Sequence, residues 1–222
     1  YKNFITIGKT ERLCVMESEK LAREKGFISI DEVKELKPGT KVYFINKNKN
    51  ICLYVIGKKD ILEGIRVLGA HIDSPRLDLK QNPLYEKDGF ALLDTHYYGG
   101  IKKYQWVTLP LALHGVVVKK DGTSVSITIG EDENDPILGI NDLLIHLAGE
   151  QMQKTAGKVI EGENLDLTVG SMIKKNGDKT ISVKDNILAI LKEKYDIEEE
   201  DFVSAEIEVV PAGKARDLGL DR

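Results

Sequence analysis

The middle of the chain constrains its fold most. From Tyr85 to Gly130 strand formers crowd between turn residues, with Gly99-Gly100, Pro110 and a hairpin signal at Asp121-Gly122. Val125, Ile127 and Ile129 alternate with polar residues, as in a strand with one exposed face. A last strand is expected over Phe202–Val210, broken by Pro211-Ala212-Gly213. Helical and mixed patterns lie before this block. The sequence therefore predicts an α/β protein in two domains. Residues 1–85 and 213–222 would form one of them, interrupted by a strand-rich insertion over 86–212.

The flanking pieces carry their own start and stop signals. A helix is expected from Glu11 to Lys25, capped by Thr10, closed by Gly26, and with Cys14, Leu21 and Ala22 near one face. Asp31 is expected to cap a short helix through Leu36, before a turn at Pro38-Gly39. Lys41–Asn46 and Ile51–Gly57 read as strands joined by Lys47-Asn48-Lys49-Asn50. Ile65–Ala70 reads as a buried strand delivering His71-Ile72-Asp73-Ser74-Pro75 at its C-terminal edge, where α/β sheets place their sites. Within the insertion, Ile140–Gln151 reads as an amphipathic helix. Asn186–Lys194 reads as a second helix, with Asp185 as its cap and Ile187, Leu188 and Leu191 on one side.

Composition removes several classes of function. Among 222 residues, 32 basic and 36 acidic side chains give a net charge of −4. No polybasic tract offsets that balance, so a nucleic-acid partner is not expected. The longest nearly apolar run, Trp106–Val118, contains His114 and Gly115. It falls short of the roughly 20 residues a membrane-spanning helix needs, so no membrane partner is expected either. Cys14 and Cys52 are too few for a disulfide framework and lack metal-finger spacing, which fits a reduced, cytoplasmic compartment. Tyr1 opens the chain inside an element already under way, and Asp221-Arg222 ends it mid-pattern. A piece of a longer protein is therefore expected.

His71-Ile72-Asp73 is the sharpest chemical signal. Residues i and i+2 of a strand point to one side, which puts the imidazole beside the carboxylate. One reading is a metal site in which His71 binds and Asp73 orients its ring. The other is a hydrogen-bonded histidine at a strand end. His96 and His114 read as structural histidines. His146, between Ile145 and Leu147, reads by itself as a boundary histidine. No phosphate-cradling glycine loop, nucleophile elbow or Cys/His pair is present.

Ala70-His71-Ile72-Asp73-Ser74-Pro75-Arg76-Leu77-Asp78-Leu79-Lys80 resembles the metal-binding segment of the aspartyl aminopeptidase family of metalloaminopeptidases. Lys9–Arg12, Leu36–Gly39, Thr95–Gly100, Trp106–Leu111, Ile145–Leu147 and Val210–Asp217 are similar to the family too, so the likeness covers nearly the whole chain. The resemblance implies a phosphorylase/hydrolase-like catalytic domain, its sheet flanked by helices, with an inserted strand-rich dimerisation domain. It also implies a self-associating particle, usually a dodecamer, which removes acidic residues from peptide N-termini with two metal ions. These are commonly zinc, with cobalt or manganese as alternatives. On this likeness His71 is a metal ligand and Asp73 the catalytic carboxylate that orients it. His146 either contacts substrate in a neighbouring subunit's active site or ligates metal. The family's bridging aspartate, its general-base glutamate and its remaining ligands would lie beyond Arg222. The chain as given is therefore expected to be inactive alone. The alternative is a non-catalytic assembly or peptide-binding module of the same fold.

Overall fold

In the computed structural model, which describes residues 1–222 apart from Asp178, the chain divides into two compact units. Tyr1–Ser74 and Lys214–Arg222 form the first, and Pro75–Gly213 forms the second.

The first unit begins with helix α1 (Lys2–Ile7) and helix α2 (Glu11–Glu24). Thr10 Oγ1 accepts the Leu13 N–H at 3.3 Å, and Gly26 closes α2 at φ +81°. Cys14, Val15 and Ala22 are buried on its inner face, whereas Leu21 is exposed. Strands β1 (Ile28–Ser29), β2 (Lys41–Asn46) and β3 (Asn50–Val55) follow in that spatial order, with β1 parallel to β2 and β2 antiparallel to β3. The β2–β3 turn takes left-handed conformations at Lys47 and Asn48, the geometry of a primed hairpin turn. Tyr43 fastens α2 to β2. Its hydroxyl donates to Glu19 Oε1 at 2.7 Å, and Arg23, itself bonded to Glu19, lies 5.0 Å from its ring centroid. Burial, together with the Glu19 carboxylate, pushes the Tyr43 hydroxyl up to about 12. The C-terminal piece joins this unit through Ala215 N–H to Thr6 Oγ1 and Lys2 to Asp217.

Two expectations for this unit change. The helix expected from Asp31 to Leu36 is a single 3₁₀ turn, Ile30–Glu32, capped two residues earlier than expected, by Ser29, and extended backbone follows at Val33. Residues 65–70 form no strand, and Ile65, Val67 and Leu68 are exposed. A strand needs a neighbour for its N–H and C=O groups, and no described residue pairs with this segment.

The second unit is built on six antiparallel strands: β4 (Arg76–Lys87), β5 (Phe90–Tyr98), β6 (Leu111–Val118), β7 (Ser124–Ile129), β8 (Leu167–Gly170) and a last strand, β11 (Ala205–Pro211). Their spatial order is β7-β6-β11-β4-β5-β8. A short helix α3 (Lys103–Trp106), a hairpin of β9 (Lys174–Asn176) and β10 (Lys179–Ile181), and helix α4 (Val183–Tyr195) complete it. Because β4 runs unbroken through residue 85, the division between the units falls at Ser74/Pro75. Asp88 and Gly89, both at positive φ, close the β4–β5 hairpin between Lys87 and Phe90. Gly122, at φ +83°, turns β6 into β7. Leu77, Val209 and Leu113 pair across three strands on one face and join the core with Val183, Ile197 and Phe202, against which Ile187, Leu188 and Leu191 of α4 pack.

The stretch expected as a helix over Ile140–Gln151 is instead a run of turns. Asp142 Oδ1 accepts from both Leu143 N–H and Gln151 Nε2, each at 2.8 Å, and so competes with helical backbone bonding. Helix α4 starts earlier than expected, because Ser182 Oγ and not Asp185 is its cap. Phe202 lies in a 3₁₀ turn, Glu199–Ser204, begun by a reciprocal cap between Glu198 and Asp201, so β11 starts only at Ala205.

Two substitutions test this packing. A Cβ on Gly115 would lie 2.2 Å from Glu206 O and 2.6 Å from Ile207 Cα, both backbone atoms of the adjoining strand. Gly115→Ala should therefore cost about 2–3 kcal/mol, a melting-temperature fall on the order of 5–10 °C. Gly139→Ala, which meets nothing within 4 Å, should change little. Equal melting temperatures for the two variants would contradict the close β6–β11 approach.

Asp166 gives a pH test. Tyr85 donates to Asp166 Oδ2 at 2.5 Å, and burial lifts the Asp166 carboxyl above its ordinary range. The folded state thus holds the proton more tightly than the unfolded one. This contribution is complete below the unfolded carboxylate value of about 3.9 and is lost as pH rises through the folded value. Asp166→Asn keeps an acceptor for Tyr85 and removes the charge. In thermal melts it should be more stable than the parent at pH 7, with the advantage fading toward pH 4; a variant less stable at pH 7 would contradict this.

Candidate functional site

His71 sits in the irregular segment that closes the first unit, not at a strand end. Its ring is held by its near neighbour. Nδ1 lies 2.9 Å from Asp73 O and 3.1 Å from Asp73 Oδ1. Both of those atoms accept, so the arrangement favours the tautomer with the proton on Nδ1. Nε2 then carries the free lone pair, on a side chain that is 84% exposed. A neutral imidazole whose second nitrogen is held by a carboxylate and a carbonyl is the donor that zinc takes in protein sites. His71 and Asp73 therefore fit a metal-binding pair. They would supply one ligand and its support, since no group of three or more His, Cys, Asp or Glu side chains able to hold a metal occurs among the described residues.

The other histidines separate by environment. His146 lies exposed in the turn at 145–147 of the second unit, among exposed Leu144, Ile145 and Leu147, and not on a helix. His96 is exposed, with its ring stacked on Tyr97 at a centroid distance of 5.8 Å. His114 is buried in β6, and its Nε2 is 2.9 Å from Glu131 Oε1. Glu131 Oε2 in turn accepts the N–H of Gly213, the last residue of the second unit.

A charged cluster at the start of β4 is not among the sites the sequence suggests. Strand register places Thr128, His114, Glu208, Asp78 and His96 in one row across β7, β6, β11, β4 and β5, on the face opposite Leu77 and Val209. Arg76, two residues from Asp78, shares that face. Its Nε donates to Asp78 Oδ1 at 2.7 Å and lies 3.2 Å from Glu208 Oε2, and its guanidinium lies 4.2 Å from the Tyr98 ring centroid. Arg76 is 8% exposed and Glu208 only 2%. The available signals were Arg-x-Asp at strand spacing and a glutamate inside the apolar run Ile207–Val210.

Comparison with known proteins fits this geometry. Residues 4–222 match the model of a family described as aminopeptidase I zinc metalloproteases (M18). The chain belongs to this family. It is 59% identical over 226 residues to the probable M18 family aminopeptidase 1 of Clostridium acetobutylicum, covering 100% of this chain and 49% of that relative. The crystal structure of an M18 aminopeptidase from Thermotoga maritima matches with a TM-score of 0.93 at 44% identity, covering 100% of this chain and 48% of that one. That of aminopeptidase I from C. acetobutylicum matches at 0.88 and 59% identity, covering 99% and 49%. A more distant structure, the mApe1 dodecamer of S. cerevisiae, matches at 0.67 with 18% identity and shares the fold alone. The chain thus spans about half the length of the curated M18 relatives it matches. No helix among the described residues is long and apolar enough to cross a membrane.

Asp73 tests the support of the ring. In the complete protein, Asp73→Ala should weaken zinc binding about tenfold, the low end of the range for such partners, because the Asp73 carbonyl still holds Nδ1. His71→Ala should remove most of the zinc. Zinc affinity read by chelator competition checks both, and full zinc content in His71→Ala would contradict the ligand assignment.

Proposed function

We propose that the complete protein is a zinc-dependent aminopeptidase that removes N-terminal residues, preferentially acidic ones, from peptides. His71 is one of its metal ligands and Asp73 the carboxylate that orients it. The observation that carries this reading is the His71–Asp73 contact, made by residues of the segment that resembles the family's metal-binding motif. Two divalent ions, zinc first and cobalt or manganese as substitutes, would complete the centre with ligands outside this chain. When bound, zinc polarises a carbonyl and acidifies water. This chain's residues do the positioning: Asp73 accepts a hydrogen bond from Nδ1–H, fixes the ring, and keeps the Nε2 lone pair outward.

His146 has a different part. Its exposed place in the second unit suits an imidazole that reaches a partner subunit's substrate and donates a hydrogen bond to it. Ligation of metal by His146 is the competing role. The yeast structural neighbour is a dodecamer, and this supports a homo-oligomer here; the strand-rich composition of the second unit makes it the part to form most subunit contacts. A cytoplasmic location accords with cysteine use.

A panel of aminoacyl chromogenic substrates, run on the complete protein with and without a chelator, tests the reading. Hydrolysis should be greatest for aspartyl and glutamyl substrates, stop on chelation, and return with zinc. Activity that survives complete removal of metal would overturn it. His146→Ala should lower turnover on the order of a hundredfold with assembly intact. Unchanged zinc content in that variant separates substrate contact from ligation, and unchanged turnover would make His146 structural.

A further inference from the structure

The six-stranded sheet of the second unit is held together unevenly. Strands β6 and β11 pair at seven positions, β6 and β7 at six, and β4 and β5 at eight. At the centre of the sheet, β4 and β11 pair at two: Asp78 with Glu208 and Leu77 with Val209. This is the shortest of the sheet's described ladders, and it separates one half, β7-β6-β11, from the other, β4-β5-β8. Backbone hydrogen bonds bind each half to itself and contribute little across the seam. Side chains fasten the seam from both faces. On the core face Leu77 and Val209 are fully buried, and α4 crosses above them. At its start, Lys184 N–H donates to Glu86 of β4 at 2.9 Å, and Ile187 stands where a Cβ on Gly170 of β8 would meet it at 2.7 Å. At its end, the Tyr195 hydroxyl donates to Thr128 O of β7 at 2.7 Å. On the opposite face Arg76, bonded to Asp78 of its own strand and lying over the Tyr98 ring of β5, reaches across to Glu208 of β11. An apolar pair of similar volume would fill this position without loss of stability, whereas a planar charged fork also fixes direction.

We propose that the β4–β11 seam is a hinge latched by Arg76: the second unit opens there before it unfolds, with β7-β6-β11 and β4-β5-β8 each still paired and α4 strapping them together. Opening the seam breaks two ladder positions and the Arg76–Glu208 pair, whereas parting β6 from β11 or β4 from β5 breaks seven or eight. Such an opening is sub-global, and it bares the unpaired N–H and C=O groups of two strand edges. The inference concerns the second unit alone and is independent of the zinc-site reading.

Native-state hydrogen exchange on the complete protein, read by mass spectrometry with fragmentation to single residues, tests the hinge. Seam amides at 77–79 and 208–209 are compared with those of the β6–β7 ladder at 113–117 and 125–129. In the parent, the seam should exchange about tenfold or more faster than that ladder. Uniform exchange through the sheet would overturn the proposal. Arg76→Lys keeps the positive charge, so no carboxylate is stranded, and removes the fork and its stacking on Tyr98. It should speed exchange at the seam by about a further tenfold and leave the β6–β7 ladder at parental rates. Parental exchange at the seam, or an equal rise throughout the sheet, would overturn the latch. Ile127→Val, in buried β7, is the control. It should raise exchange without singling out the seam, and a seam-selective rise in it would also count against Arg76. Should Arg76→Lys fail to fold, Tyr98→Leu, at a position 41% exposed, removes the ring and leaves the charges paired. Seam exchange should then rise several-fold, and parental rates there would overturn the proposal.

Discussion

The antiparallel pairing of β11 with β4 is the constraint on which the second unit depends. Val209 sits opposite Leu77 and Glu208 opposite Asp78. The strand that begins the unit and the strand that ends it are therefore neighbours at the centre of the sheet. The chain enters the unit at Pro75, one residue before β4, and leaves it at Gly213, two residues after β11. The two faces of the pairing have separate tasks. Leu77 and Val209 are fully buried in the apolar core, while Glu208 and Asp78 hold Arg76 on the other side.

Both ends of this stem are secured by side chains of the same face. Where the chain comes in, Arg76 is gripped by two carboxylates and a ring. Where it leaves, Glu131 bridges buried His114 to the Gly213 N–H, while Ala212 N–H donates to Pro110 O. His114 and Glu208 are direct cross-strand partners, so the two fastenings adjoin. Buried charges are costly unless paired, and here the pairing falls at the two ends of the unit's chain.

Local chemistry made much of the fold legible in the sequence. Thr10 and Gly26 bound a helix because capping is decided within four residues, and Asp121-Gly122 turns a hairpin because positive φ is a property of the glycine itself. The elements that differ depend on partners or on competition. Ile65–Ala70 has the composition of a strand, but composition cannot supply a neighbour. Ile140–Gln151 has helical spacing, yet the Asp142 side chain accepts hydrogen bonds that a helix would route along the backbone. At the site, His71 and Asp73 were expected together on strand geometry; they do meet, but in an irregular segment, through contacts of Nδ1 with the Asp73 carbonyl and carboxylate that strand spacing does not describe. The Arg76–Glu208 pair joins residues more than a hundred positions apart, and no local pattern reveals that β11 returns beside β4.

The central claim is that His71 binds zinc through Nε2 while Nδ1 is occupied by Asp73. Anomalous diffraction at the zinc edge, from crystals of the complete protein, tests it most directly. The expected result is a zinc peak about 2.0–2.1 Å from His71 Nε2, with Nδ1 still facing the Asp73 carboxylate. A zinc peak bound through Nδ1, or a fully loaded metal centre with His71 outside bonding distance, would contradict it.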